Sequence, residues 1–306
     1  MMEIPEEIKK IMRKQHYKLV GEHSAVKLCH WLRKSIRDEG FCYKQKFYGI
    51  ESHRCLQMSP AAFFCTNRCV MCWRSFRTTA GLDMSNIKID PPEKILDWCI
   101  KAQRELISGF GGFSGTNRKK WREAHNPTNI AISLVGEPTL YPRLSELIEE
   151  AGRRGMSTFL VSNGQVPERF LDLTEPTNLY ISLDAPDKET YKKVDCPQLP
   201  DFWERLNRTL EVLNSFSCRK VARLTLIKGW NDRKPEGYAK LIEKGGFDFI
   251  EVKAYMHIGE SRKRLPREAM PSHEYVREFA EKISEETGYA YRDEQRESRV
   301  VLLVRD

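Results

Sequence analysis

The sequence lacks any run of about 18 to 20 consecutive apolar residues, the length that a membrane-spanning helix needs. Its first residues, MMEIPEEIKKIMRKQ, alternate between acidic and basic side chains, unlike the apolar core of a signal peptide. No linker rich in proline, glycine or serine divides the chain. We therefore expect a soluble, cytoplasmic protein with no membrane partner.

The sequence also lacks the even number of cysteines that a disulfide framework requires. It has nine cysteines, which cannot all pair within one chain, and six of them fall between Cys29 and Cys72. In a cytoplasmic protein such crowding indicates metal ligation or redox chemistry.

The composition excludes wholesale disorder, because 40% of the 306 residues are apolar and can form a core. The 51 Lys and Arg residues outnumber the 43 Asp and Glu residues, which gives a formal net charge of +8. That charge is compatible with a polyanionic partner but does not require one.

Beyond the first eighty residues the sequence alternates short apolar runs with amphipathic helix patterns. Runs of this kind, buried on both faces, are typical of parallel strands, and they lie at 57–64, 129–135, 156–162, 178–184, 220–227 and 249–256. One helix is predicted to begin at Pro91 with Asp90 as its N-cap. Others are predicted at 143–154 and near 200–216, 234–244 and 272–287, followed by a terminal hairpin. The pattern indicates a parallel α/β protein, either an open doubly wound sheet or a complete or partial barrel. Functional residues are then expected at the carboxyl ends of the strands.

Three cysteines follow the first predicted strand in the segment Cys65-Thr-Asn-Arg-Cys69-Val-Met-Cys72. A loop with these spacings can turn three thiolates toward one point. Three thiolates suit three irons of a cubane cluster and leave the fourth iron open to a substrate or cofactor. The alternative is part of a zinc site, which would need a fourth ligand from elsewhere.

This CxxxCxxC segment resembles the signature of the radical S-adenosylmethionine superfamily. The resemblance implies that the three cysteines hold a [4Fe–4S] cluster whose open iron binds S-adenosylmethionine. The segment Val135-Gly136-Glu137-Pro138 is similar to the superfamily's GGE segment, with valine in place of the first glycine. The resemblance further implies cofactor contacts at the ends of successive strands, from Gly136, Glu137, Ser162, Asn163 and Ser182.

A second trio, Cys29, Cys42 and Cys55, has thirteen residues from each cysteine to the next. These residues could be three buried small hydrophobic side chains. Neighbouring Arg, Lys and His residues would instead lower their thiol pKa values and favour thiolates. The sequence alone leaves both interpretations open.

Together with CTNRCVMCWR, VGEPTLYP, SNG, SLDAP and EVKAYMHIGESRKRL, this trio resembles the archaeal tRNA 4-demethylwyosine synthases over nearly the whole chain. The resemblance implies an incomplete (β/α)6 barrel and a second [4Fe–4S] cluster held by Cys29, Cys42 and Cys55. It suggests three segments: an N-terminal extension at 1–56 with the second-cluster ligands, the partial barrel at 57–270, and a C-terminal helix and hairpin at 271–306.

The family's reaction condenses N1-methylguanosine at position 37 of tRNA-Phe with pyruvate to form 4-demethylwyosine. The resemblance therefore implies a radical lyase, with pyruvate held either by the second cluster or as a Schiff base on Lys44. It also implies a monomer that receives electrons from a separate flavodoxin- or ferredoxin-like donor. The alternatives are another two-cluster tRNA-modifying enzyme, such as a methylthiotransferase, and a non-catalytic iron–sulfur protein that binds nucleic acid.

Modification of a single guanine requires that this base leave its stack, while basic groups hold the anticodon loop by its phosphates. Charge runs are usually solvated faces, but several here lie next to predicted strands. We predict tRNA contacts from three groups of basic residues: Arg74 and Arg77; Arg118, Lys119, Lys120 and Arg122; and Arg262, Lys263 and Arg264. The segment 109–122, which contains the middle group, is predicted to be a mobile surface loop.

Overall fold

A computed structural model describes residues 2–305 and confirms the α/β class, with parallel strands at the centre of its sheet structure. The residues group into two units that interleave along the chain: 2–65, 77–161 and 173–177 in the first, and 66–76, 162–172 and 178–305 in the second. The predicted division into three consecutive segments, with boundaries after residues 56 and 270, remains a prediction, as does the incomplete (β/α)6 barrel.

The first unit places a parallel trio of strands beside an antiparallel hairpin. In the order β1-β2-β3-β4-β5, β3 runs parallel to β4 and β4 to β5, while β1, β2 and β3 pair in antiparallel fashion. The elements are α1 (Glu6–Lys14), β1 (Lys18–Val20), β2 (Ser24–Val26), α2 (His30–Ile36), α3 (Tyr43–Tyr48), β3 (Cys55–Ser59), α4 (Pro92–Ile107), α5 (Arg118–Glu123), β4 (Asn129–Ile132), α6 (Leu144–Arg153) and β5 (Ser157–Ser162). The last residue of β5 is grouped with the second unit.

The second unit has the strand order β6-β7-β8-β10-β9, in which β6, β7 and β8 are parallel and β10 pairs antiparallel with β8 and β9. The last two strands are the predicted terminal hairpin, which is thereby confirmed. The elements are α7 (Pro167–Phe170), β6 (Asn178–Ser182), α8 (Lys188–Asp195), α9 (Phe202–Val212), β7 (Arg219–Leu226), α10 (Pro235–Gly245), β8 (Phe249–Ala254), α11 (His273–Thr287), β9 (Ala290–Gln295) and β10 (Val300–Val304).

The predicted strands are confirmed, although most are shorter than their apolar runs. The first run continues to residue 64, but β3 ends at Ser59 because Pro60 follows and has no N–H for the ladder. Each central strand of the parallel sets is almost wholly buried, as β4 illustrates with all four residues inside.

The predicted helix after Asp90 is displaced by one residue, since α4 begins at Pro92 with Pro91 as its N-cap. Asp90 is 4% exposed and accepts a hydrogen bond from the Glu22 N–H at 2.7 Å, so its carboxylate fixes a loop rather than the helix. The predicted mobile loop at 109–122 is wrong in its second half. There Asn117 accepts the Lys120 N–H at 3.1 Å and caps α5.

Within residues 2–305, no helix is both long enough and apolar enough to cross a bilayer.

Candidate functional site

The loop that carries the first cysteine trio turns sharply, because the Cys72 N–H donates to the Cys69 carbonyl at 3.0 Å. The Cys65 N–H donates to the Gly81 carbonyl at 3.3 Å. All three thiols are partly exposed and form no disulfide. The turn and the partial exposure fit a ligand role for the trio, and the convergence of the three thiols on one point remains a prediction.

Hydrogen bonds and apolar contacts anchor the part of this loop that belongs to the second unit. The Val70 N–H donates to the Val194 carbonyl at 2.8 Å, at the carboxyl-terminal end of α8. Val70 and Met71 pack against a buried cluster formed by Val194, Ile227, Tyr255, Leu265 and Ala269. The apolar residues between the cysteines therefore fix the loop, and the cysteines remain available for ligation.

Arg264 holds the same loop from a distant part of the chain. Its Nε donates to the Val70 carbonyl at 3.0 Å, and its Nη2 donates to the Cys72 carbonyl. The guanidinium carbon lies 4.1 Å from the centre of the Phe76 ring. Because these groups engage the guanidinium inside the protein, the position of Arg264 does not support the predicted tRNA contact. It is a positioning residue for the cysteine loop.

A buried carboxyl group accompanies Cys69. The Cys69 thiol donates to Asp195 Oδ1 at 3.2 Å, and Asp195 is 3% exposed. Burial raises the pKa of Asp195 well above its usual range, Asp184 raises it further, and the Cys69 hydrogen bond lowers it. Sequence reasoning missed Asp195, although its place at the end of α8 beside Cys196 was a weak local signal.

The chemistry of this region fits a bound iron–sulfur cluster and its ligand. Three thiols in one loop are the usual donor set of such a cluster. Two buried side chains near these cysteines have polar atoms without a hydrogen-bond partner among residues 2–305. They are Arg74, at Nε and Nη1, and Asp195, at Oδ2. Buried polar atoms are normally satisfied, so unsatisfied ones beside the cysteines are consistent with a place for a polar cofactor.

The segment that resembles GGE lies directly against the residue before Cys65. The Glu137 N–H donates to the Phe64 carbonyl at 2.9 Å. Glu137 is 2% exposed, and its Oε1 accepts hydrogen bonds from the Thr139 N–H at 3.1 Å and the Thr139 hydroxyl at 2.7 Å. The carboxylate is therefore held in one orientation beside the start of the cysteine loop.

Gly136 is required for this close approach. Its φ is +71°, and an added Cβ would overlap the Ala61 carbonyl oxygen and lie 2.6 Å from the Phe64 carbonyl oxygen. We expect Gly136→Ala to lower the free energy of unfolding by about 3 kcal/mol or more, because both backbone strain and overlap must be relieved. Chemical denaturation of the metal-free protein measures this loss.

The control for this experiment is Gly152→Ala, since Gly152 lies in α6 with no atom within 4 Å of an added Cβ. That variant should be as stable as the parent or up to about 1 kcal/mol more stable. Equal stability of the two variants would show that the turn tolerates a side chain.

The three remaining predicted cofactor residues lie at or just after the carboxyl ends of β5 and β6, as expected. Asn163 Nδ2 donates to the Thr66 hydroxyl at 2.9 Å, which joins this strand end to the residue after Cys65. Ser162 is 1% exposed and its hydroxyl accepts the Gly164 N–H at 3.0 Å. Ser182 is the last residue of β6 and is partly exposed.

The structure brings the second cysteine trio together within the first unit. Cys29 and Cys42 are the N-cap residues of α2 and α3, and Cys55 is the first residue of β3. Burial, with a smaller contribution from Cys29, raises the thiol pKa of both Cys42 and Cys55 to about 12, although Lys44 lowers each. The expectation that neighbouring cations dominate these pKa values is therefore wrong, because burial is the larger effect.

Lys44 occupies the first turn of α3, two residues after Cys42. The side chain is 8% exposed, and its Nζ lies 4.5 Å from the centre of the Phe159 ring. The amine therefore lies in a buried position against an aromatic face, and it lowers the pKa of the neighbouring Cys42 and Cys55 thiols. Lys46, two residues further on, is exposed.

The predicted tRNA contacts of the first unit lie on exposed surface. Arg77 pairs with Glu7 at 2.7 Å, and Lys120 pairs with Asp38 at 2.5 Å. The group on α5 consists of Arg118, Lys119, Lys120 and Arg122. Trp121 of the same helix is partly buried, donates its indole N–H to the Ile107 carbonyl at 2.9 Å and packs against buried side chains, so its role is structural.

Four predicted contacts lie in the second unit, and the structure argues against Arg74 as well as Arg264. Arg74 is 1% exposed, so the prediction that it lies on a tRNA-binding surface is wrong. Arg262 and Lys263 are exposed, and Lys263 pairs with Glu260 at 3.0 Å.

The cysteine loop, the parallel strands and the residues at their carboxyl ends define a radical S-adenosylmethionine protein. The family model described as "Radical SAM superfamily" matches residues 60–242, more than half of the chain. A second model, described as "Wyosine base formation", matches residues 244–305.

Whole-chain comparisons specify the family. The S-adenosyl-L-methionine-dependent tRNA 4-demethylwyosine synthase of Pyrococcus abyssi is 51% identical over 99% of this chain and 90% of the relative. A solved structure of TYW1 with a lysine–pyruvate adduct bound has a TM-score of 0.90 and 39% identity, over 99% of this chain and 97% of that one. A crystal structure of archaeal TYW1 has a TM-score of 0.80 and 37% identity, over 98% and 96%. The chain belongs to the S-adenosyl-L-methionine-dependent tRNA 4-demethylwyosine synthases.

Proposed function

We propose that this protein condenses N1-methylguanosine at position 37 of tRNA-Phe with pyruvate, forming 4-demethylwyosine as a radical carbon–carbon lyase. The observation that carries this proposal is the buried Lys44 beside a second cysteine trio. The similarity to wyosine synthases over almost the whole chain supports it and does not favour a methylthiotransferase or a non-catalytic iron–sulfur protein.

The proposed cofactors are S-adenosylmethionine and two [4Fe–4S] clusters, one held by Cys65, Cys69 and Cys72 and the other by Cys29, Cys42 and Cys55. When bound, the first cluster and S-adenosylmethionine supply a 5′-deoxyadenosyl radical by one-electron reductive cleavage. Gly136 and Glu137, with Ser162, Asn163 and Ser182, are the proposed contacts for S-adenosylmethionine. The fixed orientation of the Glu137 carboxylate supports that role.

Lys44 is the proposed anchor for pyruvate. Its Nζ adds to the keto carbon, and loss of one water leaves a C=N bond between lysine and substrate. The buried position keeps bulk water from hydrolysing that bond, and the Phe159 ring limits the directions from which pyruvate approaches. The lysine–pyruvate adduct in the structure of TYW1 supports this assignment.

Borohydride trapping tests the role of Lys44. Reduction in the presence of pyruvate should leave a stable secondary amine on Lys44, which peptide mass analysis locates. Lys44→Ala should abolish trapping and lower wyosine formation by at least about a hundredfold, because the covalent step loses its nucleophile.

Lys46→Ala is the matched control, since Lys46 lies in the same short helix but is exposed. It should retain trapping at Lys44. An adduct of undiminished yield in Lys44→Ala would place the Schiff base on another amine.

The proposed macromolecular partner is the tRNA-Phe anticodon loop, contacted by exposed basic residues including Arg77, Lys119, Arg122, Arg262 and Lys263. Electrons are proposed to come from a separate low-potential donor of the flavodoxin or ferredoxin type, and the protein is proposed to act as a monomer.

One incubation tests the whole proposal. Reduced, reconstituted protein receives S-adenosylmethionine, pyruvate and tRNA-Phe that bears N1-methylguanosine, and the digested nucleosides are analysed by mass. We expect 4-demethylwyosine in place of N1-methylguanosine. Abundant 5′-deoxyadenosine with unchanged nucleosides under all donor conditions would contradict the proposed substrate.

A further inference from the structure

An exposed aromatic and aliphatic surface lies immediately beside the cysteine loop. Trp73, the residue after Cys72, is 41% exposed, and Ile258 is 46% exposed. Ile258 precedes Gly259, whose added Cβ would lie 3.1 Å from the Trp73 Cβ, so the backbone next to Ile258 packs against Trp73. Trp73 differs from other exposed aromatic residues because it adjoins Cys72, a proposed cluster ligand, and an exposed apolar face at that place points to a binding role.

The backbone that presents this tryptophan is fixed. The Glu260 N–H donates to the Trp73 carbonyl at 3.0 Å. Gly259 has φ +58°, and an added Cβ there would lie 2.5 Å from the Trp73 carbonyl oxygen. Arg264 also holds the carbonyl of Cys72, so the indole projects from a rigid loop. It therefore loses little conformational freedom when a ligand contacts it.

Two cationic residues follow closely after Glu260, whose N–H binds the Trp73 carbonyl. Arg262 is exposed and forms no ion pair with any residue in 2–305. The Lys263 side chain is 74% exposed, and its one carboxylate partner is Glu260. A flat aromatic face beside mobile cations is the arrangement that binds single-stranded nucleic acid, in which bases stack and phosphates meet Lys or Arg.

We propose that Trp73 is the stacking platform for an unpaired base of the substrate RNA loop, with Arg262 and Lys263 contacting the adjacent phosphates. This inference rests on the proposed function and deepens it by naming where the RNA is held. Because Trp73 and Cys72 are consecutive, their Cα atoms are about 3.8 Å apart. A base on Trp73 is therefore held next to a proposed ligand of the radical cluster.

Equilibrium binding of methylguanosine-bearing tRNA-Phe to the reconstituted protein tests the proposal. Trp73→Ala should weaken binding about tenfold, and Trp73→Phe by no more than about threefold, because phenylalanine still offers a stacking face. Trp98→Ala is the control, since Trp98 is 38% exposed on α4 and should leave the dissociation constant unchanged. Iron content and melting temperature are measured for each variant.

Salt dependence separates stacking from charge. Trp73→Ala should keep the parental slope of log affinity against log salt, whereas Arg262→Gln should reduce that slope by about one. A tRNA that is abasic at position 37 identifies the stacked base. If Trp73→Ala no longer weakens binding of the abasic tRNA, the base at position 37 is the one that stacks on Trp73. If Trp73→Ala still weakens binding, a flanking base stacks there. Either result supports Trp73 as the stacking platform.

Unchanged binding by Trp73→Ala would overturn the inference, as would equal weakening in Trp73→Ala and Trp73→Phe together with lost iron, which indicates a structural role. These outcomes differ from failure of the proposed function. In that case the parent protein itself fails to bind the tRNA or binds it without forming 4-demethylwyosine.

Discussion

Replacing Cys69 with alanine should abolish formation of 5′-deoxyadenosine and halve the bound iron, from about eight to about four atoms per chain. Cys69 is one of only three thiols in its loop, and its sulfur is already placed by the Asp195 carboxyl group at 3.2 Å. Two thiolates cannot secure a cluster that must also keep one iron open for S-adenosylmethionine. Wyosine formation should fall below detection, because no radical is generated.

The measurement is anaerobic reconstitution followed by iron assay and chromatography of 5′-deoxyadenosine. Cys99→Ala is the control, since Cys99 is fully buried within α4 and far in sequence from both trios. It removes a small apolar group and should cost about 1 kcal/mol of stability with full iron content. Retention of about eight irons in Cys69→Ala would remove this residue from the cluster.

Replacing Cys42 with alanine should also halve the iron but leave the cleavage of S-adenosylmethionine in place. The second trio lies within one unit, where burial raises the pKa of Cys42 and Cys55 to about 12. Metal-free thiols with such pKa values stay protonated at neutral pH, and cluster binding must displace their protons. Loss of one ligand should therefore empty this site while the cysteines of the other trio still bind their cluster.

The expected signature of Cys42→Ala is 5′-deoxyadenosine without 4-demethylwyosine. Compared with Cys69→Ala, it separates radical generation from condensation in two proteins of equal iron content. A parent protein that binds only about four irons would contradict the second cluster. So would Cys42→Ala protein that forms 4-demethylwyosine at the parental rate.

The sequence predicted the parallel strands well because they are buried on both faces and so appear as uninterrupted apolar runs. It missed α3 and α8 for different reasons. Helix α3 has only six residues, and its N-cap Cys42 makes no side-chain capping hydrogen bond, so no local signal marks its start. The start of α8 does have a local sequence signal, because Asp187 is an ordinary N-cap residue that accepts the Thr190 N–H at 2.8 Å.

At the candidate site, cysteine spacing identified the loop, but sequence could not separate surface arginines from internal ones. Arg74 and Arg264 both lie in basic, polar stretches, yet one is buried and the other binds carbonyls of a loop 192 residues away along the chain. Asp195 contacts Cys69 across 126 residues. Such pairings follow from tertiary packing and leave no local pattern to read.

The six-residue helix α3 is too short to form by itself, because helix nucleation is unfavourable and few intrahelical bonds repay it. It depends on tertiary anchors such as the 2.9 Å bond from the Cys42 N–H to the Ser52 hydroxyl. Cys42 is the N-cap of this helix and Lys44 lies in its first turn, so a proposed metal ligand and a proposed nucleophile share one unit of local folding. Iron starvation or oxygen damage at Cys42 would consequently loosen the lysine as well, and substrate capture would be lost together with the metal.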